Sequence, residues 1–421
     1  GGQVANTRLV KIASPFLLLC LLIGLGCGGK TPRPRQAGLT SPGLQPLSPS
    51  LPAPQPPERL TLVEGISLCA PLDKEPSEQE RALYAHISLL LVPEPKGDLV
   101  RALRKHFPQA TILLLRDLRP SGDYAVLSAA EADEAWLLPE AAGPVGVLAA
   151  APAERHYDLA SSAARQALSA ALVAQLQDSS ADGLYLRGLQ IVAAPTSADQ
   201  EVQDSQNRAV QGGRELIAAT RESASRAPII PEADLADSER LQPLLAEADG
   251  LALRVPVGWD DKAGSKWLSG LWTGLREAAA RLANAKRGLL LVPTWPTDKS
   301  GKPQQTEDAV RQLVALYLLA WSERARLCLE PALLASAGLD CALRLGTAGK
   351  TQEKDGLVSR KFEGACVFLN LADKEAALPA AEGMVTLAGE GPPTSLAARA
   401  ALILVKAPEE PEEKAASDAH E

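Results

Sequence analysis

The chain has 421 residues, a formal net charge of −8, 46% hydrophobic and 22% charged residues. That length accommodates one barrel of about 250 residues with a small accessory domain. An acidic balance with no Lys/Arg block beyond the N-terminal segment argues against a nucleic-acid partner.

Residues 8–27 read as a secretory signal, with Arg8 and Lys11 at a positive end and an apolar core over 16–25 too short to span a bilayer. Ile23-Gly24-Leu25-Gly26-Cys27 resembles a bacterial lipobox, although Gly24 stands where Leu is usual and Leu25 where a small residue is preferred. The resemblance implies lipidation of Cys27 at the mature N-terminus. The alternative is an ordinary signal peptide with an incidental cysteine. Gly28 follows where an Asp would resemble an inner-membrane retention signal, so an outer-membrane anchor, on its periplasmic or surface face, is expected in a Gram-negative host. The Pro-rich run over 28–58 reads as a tether, with a reach of about 90 Å at about 3.1 Å per residue if it is polyproline-like. The first residue is Gly rather than Met, so the natural start is expected to differ.

Strands are predicted at 60–69, 86–92, 111–116, 183–187, 228–231, 250–254, 288–293 and 325–330, each a short run dominated by Ile, Leu and Val. Helical patterns over 97–107, 165–177, 208–223, 238–246 and 307–322 separate several of them, with a polar loop over 196–206. Alternating strand and helix means a parallel sheet. From 340 onward the helical period gives way to short alternating strands at 357–361, 365–369, 384–387 and 400–405. The tail over 407–421 is acidic and free of aromatics, and is expected to be disordered. The expected fold is α/β, a (β/α)8 TIM barrel over 59–338 followed by a small antiparallel β domain over 339–406.

One motif occurs twice. Ala181-Asp182-Gly183-Leu184-Tyr185-Leu186-Arg187 recurs as Ala248-Asp249-Gly250-Leu251-Ala252-Leu253-Arg254, with one substitution. Each copy reads as a buried parallel strand that delivers its last side chain to the active rim of a barrel. The first copy resembles the fourth strand of bacterial secreted glycoside hydrolase-like barrels, whose usual pattern is Asp-Gly, three apolar residues and a carboxylate. The resemblance extends to Glu134-Ala135-Trp136-Leu137-Leu138, to Tyr157-Asp158-Leu159 with Arg165-Gln166-Ala167-Leu168, and to the stretch from Arg360 through Phe362 and Gly364 to Asn370. In that family the two strands imply a catalytic pair of carboxyl groups. Here Arg187 and Arg254 stand in both places. A guanidinium has no lone pair to offer as nucleophile or base and is a very poor acid near neutral pH, which puts hydrolysis in doubt.

Strand parity sends Tyr185, Arg187 and Arg254 into the barrel, with Tyr185 as a core or pocket-floor residue. Two guanidiniums at one rim repel unless something anionic lies between them. That something is either a ligand, such as an acidic sugar, a sulfate or a phosphate, or a protein carboxylate such as Asp117, Asp158 or Glu232. Catalysis by displaced carboxylates would draw on Asp117 at the end of the third strand, Glu232 after the fifth and Glu330 at the end of the eighth. Asp260 and Asp261 are expected to be solvated, and Asp158 to hold the loop before the helix that follows it. Trp259 and Trp295, just past the sixth and seventh strands, suit either a glycan platform or plain loop packing, whereas Trp267, Trp272 and Trp321 are expected in the core. The cysteines that follow the signal segment, Cys69, Cys328, Cys341 and Cys366, either pair, with Cys328 and Cys341 closing the shortest loop, or act as small buried hydrophobes. Scattered histidines and the lack of closely spaced cysteines give no metal signature, and no cofactor is expected.

The functional expectation is a lipid-anchored glycoside hydrolase-like protein that binds carbohydrate or an anionic glycan at the barrel mouth and is catalytically impaired. The alternatives are an active glycosidase and a purely structural envelope lipoprotein.

Overall fold

The computed structural model describes residues 68–85, 87–93, 95, 97–120, 122–128, 131–137, 156–189, 200–238, 242–259, 264–298, 300–339 and 345–407. The expected signal segment with Cys27, the tether and the acidic tail lie outside the described residues, as do Asp260, Asp261 and Cys341.

Eight strands close into a parallel barrel in sequence order: β1 (Leu68–Pro71), β2 (Ile87–Val92), β3 (Thr111–Asp117), β4 (Gly183–Arg187), β5 (Ile229–Asp234), β6 (Gly250–Pro256), β7 (Gly288–Thr294) and β8 (Ala325–Cys328). The helices are α1 (Glu78–Tyr84), α2 (Gly97–His106), α3 (Ser162–Ser179), α4 (Gln200–Ser223), α5 (Ser265–Asn284), α6 (Glu307–Ala320) and α7 (Pro331–Ser336). The expected (β/α)8 fold is therefore the one observed. Its strands read as unbroken apolar runs because both faces are covered. Leu90, Ile112, Leu114, Leu184, Leu186 and Leu253 pack outward in the main core, while Leu89, Leu113, Leu115, Tyr185, Ala252 and Leu290 fill the barrel interior.

Three local expectations are corrected. The expected helix over 238–246 is replaced by two 3₁₀ turns, Leu235–Asp237 and Gln242–Ala246, the second of which contains Pro243, a residue with no N–H to continue a helix. Much of the expected polar loop over 196–206 belongs to α4, which starts at Gln200. The fifth strand runs three residues past Pro231, so Glu232 and Asp234 lie within β5.

The repeated Asp-Gly has a structural cause at the lower end of the barrel. Asp182 Oδ2 accepts from Ile112 N at 2.8 Å and Oδ1 accepts from Arg104 at 2.9 Å. Asp249 Oδ2 likewise accepts from Ile229 N at 2.8 Å and from Arg221. Each carboxylate thus holds the strand before its own and ties in an arginine from a helix. The glycines admit a neighbouring backbone, since a Cβ on Gly183 would lie 2.2 Å from Pro228 O and one on Gly250 would lie 2.6 Å from Gly288 O. Gly183→Ala is therefore expected to lower stability by roughly 1–3 kcal/mol in thermal denaturation. Gly270→Ala, inside α5 with nothing within 4 Å of the new Cβ, should raise it by up to about 1 kcal/mol.

The C-terminal part forms an antiparallel five-stranded sheet from β9 (Gln352–Lys354), β10 (Leu357–Lys361), β11 (Ala365–Asn370), β13 (Met384–Thr386) and β15 (Ala401–Lys406). β12 (Ala376–Ala377) pairs with β14 (Ser395–Leu396). This sheet packs on α6, which explains why every residue of α6 from Leu313 to Ala320 is buried. Arg360 docks the two parts, donating to the Leu318, Leu319 and Trp321 carbonyls at 3.2, 3.2 and 2.8 Å and lying over the Trp321 and Phe362 rings. Buried Asn370 donates to the Lys374, Leu396 and Ala397 carbonyls and accepts from Ala372 N, which fixes the turn after β11.

Candidate functional site

The upper ends of β3 to β6 bring one set of charges together. In register, Asp117 on β3 is opposite Arg187 on β4, and Asp234 on β5 is opposite Arg254 on β6. Each arginine of the repeat therefore has a carboxylate facing it from the preceding strand. The two pairs then behave differently.

Arg254 takes its partner with a two-pronged contact, Nε to Asp234 Oδ1 at 2.9 Å and Nη2 to Oδ2 at 2.8 Å. Burial alone would lower the Arg254 pKa, but the bonds and charge of Asp234, with Glu232 behind, raise it. Asp117 is occupied elsewhere. Arg119 clasps it with Nε to Oδ1 at 2.9 Å and Nη2 to Oδ2 at 2.6 Å, and the Arg119 backbone N–H adds a third bond at 2.9 Å. Among the described residues Arg187 is left with one ionic contact, Nε to Glu232 Oε1 at 3.6 Å, beyond hydrogen-bond range. Its Nε is buried without a hydrogen-bond partner, while the side chain as a whole is 34% exposed.

Glu232 is the shared counter-ion. Its side chain is only 8% exposed, its Oε1 lies 3.6 Å from Arg187 Nε and 3.7 Å from Arg254 Nε, and its Oε2 accepts the Tyr185 hydroxyl. Tyr185 is buried inside the barrel, and burial followed by the charge of Glu232 pushes its phenol well above the usual range, so it is a neutral donor at physiological pH. Of the candidates, the mouth unites Glu232, Tyr185, Arg187 and Arg254, with Asp117 beside them. It adds Asp234 and Arg119, which sequence reasoning missed. Asp234 shares the parity of Glu232 and becomes visible once β5 is extended through Pro231. Arg119 lies two residues after Asp117 and carries no comparable signal.

Burial pushes the Asp117 carboxyl up, but the Arg119 bonds and the charges of Arg119 and Arg187 outweigh it and hold the group below the ordinary carboxylate range. A depressed folded pKa contributes stability that is complete above about pH 5 and is lost as pH falls through the folded value, below about 3.9. Asp117→Asn should therefore flatten the acid limb of melting temperature against pH between about 2 and 5. An unchanged limb would place the acid sensitivity elsewhere.

Glu330 does not end β8, which stops at Cys328. It is exposed and occupies the N-cap of α7. Asp158 accepts from Ala160 N at 3.0 Å in the turn before α3. Trp259 lies at the seam between the barrel and the C-terminal sheet, where its indole N–H donates to Arg399 O at 2.8 Å. With Asp308, Arg311, Gln312 and the segment from Ala398 to Ala401 it lines a cavity of about 290 Å³. Trp295 is half-buried against the core. Trp272 is in the core and Trp321 is half-buried on it, but Trp267 corrects the expectation: it is 43% exposed on the first turn of α5, its ring centroid 6.3 Å from that of Trp259. Among the described residues no group of three or more His, Cys, Asp or Glu could hold a metal ion, and no helix is long and apolar enough to cross a membrane.

No family model and no curated protein matches the chain. Among solved structures it is similar to the glycoside hydrolase domain of PelA from Pseudomonas aeruginosa, with 16% identity, a TM-score of 0.39, and 64% of this chain and 96% of that chain covered. It is also similar to an alpha-amylase from Geobacillus thermoleovorans, at 8% identity, a TM-score of 0.46 and coverage of 82% and 99%. A third is an alpha-amylase from Malbranchea cinnamomea, at 10% identity, a TM-score of 0.47 and coverage of 81% and 96%. Likenesses this distant transfer no residue roles to the mouth described above.

Chemically, the mouth is built to hold charge. Glu232 faces a phenol proton and two guanidiniums, and Asp117 is clasped by Arg119, which favours the ionised form of the Asp117 carboxyl. Hydrolysis of a glycosidic bond generally needs one carboxyl that can arrive protonated.

Proposed function

We propose that the chain is a glycoside hydrolase-like barrel, anchored to the bacterial envelope through Cys27, that binds carbohydrate with an acidic group seated at Arg187 and does not hydrolyse it. The observation that carries this reading is the asymmetry of the two repeat arginines. Arg254 spends its fork on Asp234, whereas the Arg187 side chain is a third exposed and its Nε has no hydrogen-bonded partner among the described residues. A carboxylate, sulfate or phosphate is the group that a planar fork accepts in bidentate geometry. Trp259 and exposed Trp267 offer indole faces for the neutral part of a glycan. The anchor and tether rest on the composition of residues 8–58 alone.

The test is a panel of neutral, amino and acidic polysaccharides offered to the full chain, reading both retention and reducing-end release. Retention of acidic members without release is expected. Release would establish hydrolysis by carboxylates other than those at the two usual strand ends. Neither retention nor release from folded protein would select the structural reading, which one observation favours: Glu232 already lies between both guanidiniums as a protein-supplied anion.

A further inference from the structure

The barrel closes where β8 meets β1, and among the described residues Leu68↔Leu327 and Cys69↔Cys328 are in register there. The second of these pairs is a pair of cysteines. We propose that Cys69 and Cys328 form a disulfide that staples the barrel shut.

The geometry suits the bond. Register partners on adjacent parallel strands lie about 4.8 Å apart at Cα, within the roughly 4.4–6.8 Å that a disulfide spans. Both side chains belong to the same interior cluster, so their Cβ atoms project to the same side of the sheet. The backbone holds the alignment, with Leu329 N donating to Cys69 O at 2.9 Å. Cys366 is no competitor, because it packs with Phe368, Leu396 and Leu404 in the core of the C-terminal sheet. The sequence alone had left Cys328 with Cys341 as the shortest loop. A strand register is a stronger reason for pairing than closeness in sequence.

Both thiols are free in the described structure, so the bond needs an oxidant, here a low-molecular-mass or protein disulfide. Cys69 is fully buried and Cys328 half-buried, which sets the order of events. The Cys328 thiol loses its proton and attacks one sulfur of the oxidant, whose other half leaves as a thiolate. The Cys69 thiolate then attacks the Cys328 sulfur of the mixed disulfide and releases the second half. Two thiols lose two protons and two electrons, and the oxidant becomes two thiols. Nearly the whole barrel lies between the cysteines in sequence, so the cross-link closes a very long loop of the unfolded chain.

The experiment is incubation of the folded full chain with oxidised glutathione, then alkylation of free thiols and a non-reducing peptide map. The expected result is a linked peptide joining Cys69 to Cys328. The melting temperature should rise by about 5–10 °C, reversed by dithiothreitol. Cys366→Ser should behave like the natural chain, and Cys69→Ser or Cys328→Ser should lose the oxidant-dependent rise. Cys69 recovered alkylated after oxidation, or Cys328 found linked to Cys341, would overturn the proposal. The map of the natural chain decides the matter even if a serine variant fails to fold.

Discussion

Arg187→Ala is expected to weaken retention on an acidic polysaccharide by about ten- to a hundredfold and to leave retention on neutral polymers unchanged. A charge-assisted fork on an anion contributes about 1.5–3 kcal/mol, which sets that range. The melting temperature should move little, because the substitution removes a 3.6 Å ionic contact from a side chain one-third exposed, and such contacts are worth about 0–1 kcal/mol. Arg254→Ala is the informative contrast. Its fork is already occupied by Asp234, so its loss should cost less in retention and more in stability. Arg187→Lys keeps the charge without the planar fork and should recover only part of the binding. Raising the salt should weaken what remains, since the site is partly open to solvent. Equal retention by the natural chain and Arg187→Ala would sink the binding reading at this residue.

The second large effect is on stability. Glu232→Ala should destabilise the barrel by roughly 2–4 kcal/mol, less than removing one partner of a fully buried pair, because both guanidiniums are about one-third exposed. Three groups lose a contact together. The buried Tyr185 hydroxyl has no acceptor, Arg187 loses the carboxylate 3.6 Å away, and Arg254 keeps Asp234 but loses the carboxylate 3.7 Å away that lay between the two guanidiniums. In a chain of this size the melting temperature should fall by roughly 5–10 °C. Combining Glu232→Ala with Tyr185→Phe should cost less than the sum of the two, because the hydroxyl is already orphaned in the first variant. A variant as stable as the natural chain would mean that the mouth is not held by this network. If hydrolysis is found and Glu232→Gln abolishes it, Glu232 is a catalytic base rather than a counter-ion.

Much of this fold was legible in the residues. Leu113, Leu114 and Leu115 are all buried because β3 has the interior on one face and helices on the other, and such runs are hard to mistake. Parity along Gly183–Arg187 was enough to turn Tyr185 inward, because a strand alternates whatever surrounds it. Local rules failed where one residue type permits two outcomes. Pro231 removes a ladder donor without ending β5, which hid Asp234, and Pro243 turned an apparent helix into a 3₁₀ turn. Trp267 has the helical position of a core residue yet faces outward on the first turn of α5.

Residue order by itself determined the barrel and placed Arg187 and Arg254 toward the upper ends of β4 and β6, because these follow from periodicities a few residues long. Only the tertiary structure decided partnership: Arg119 rather than Arg187 on Asp117, Asp234 on Arg254, Glu232 between both arginines of the repeat, and Cys69 facing Cys328. Ionic and thiol partners are selected by distances of a few ångströms between strands, and strands far apart in sequence, such as β1 and β8, become neighbours only when the barrel closes.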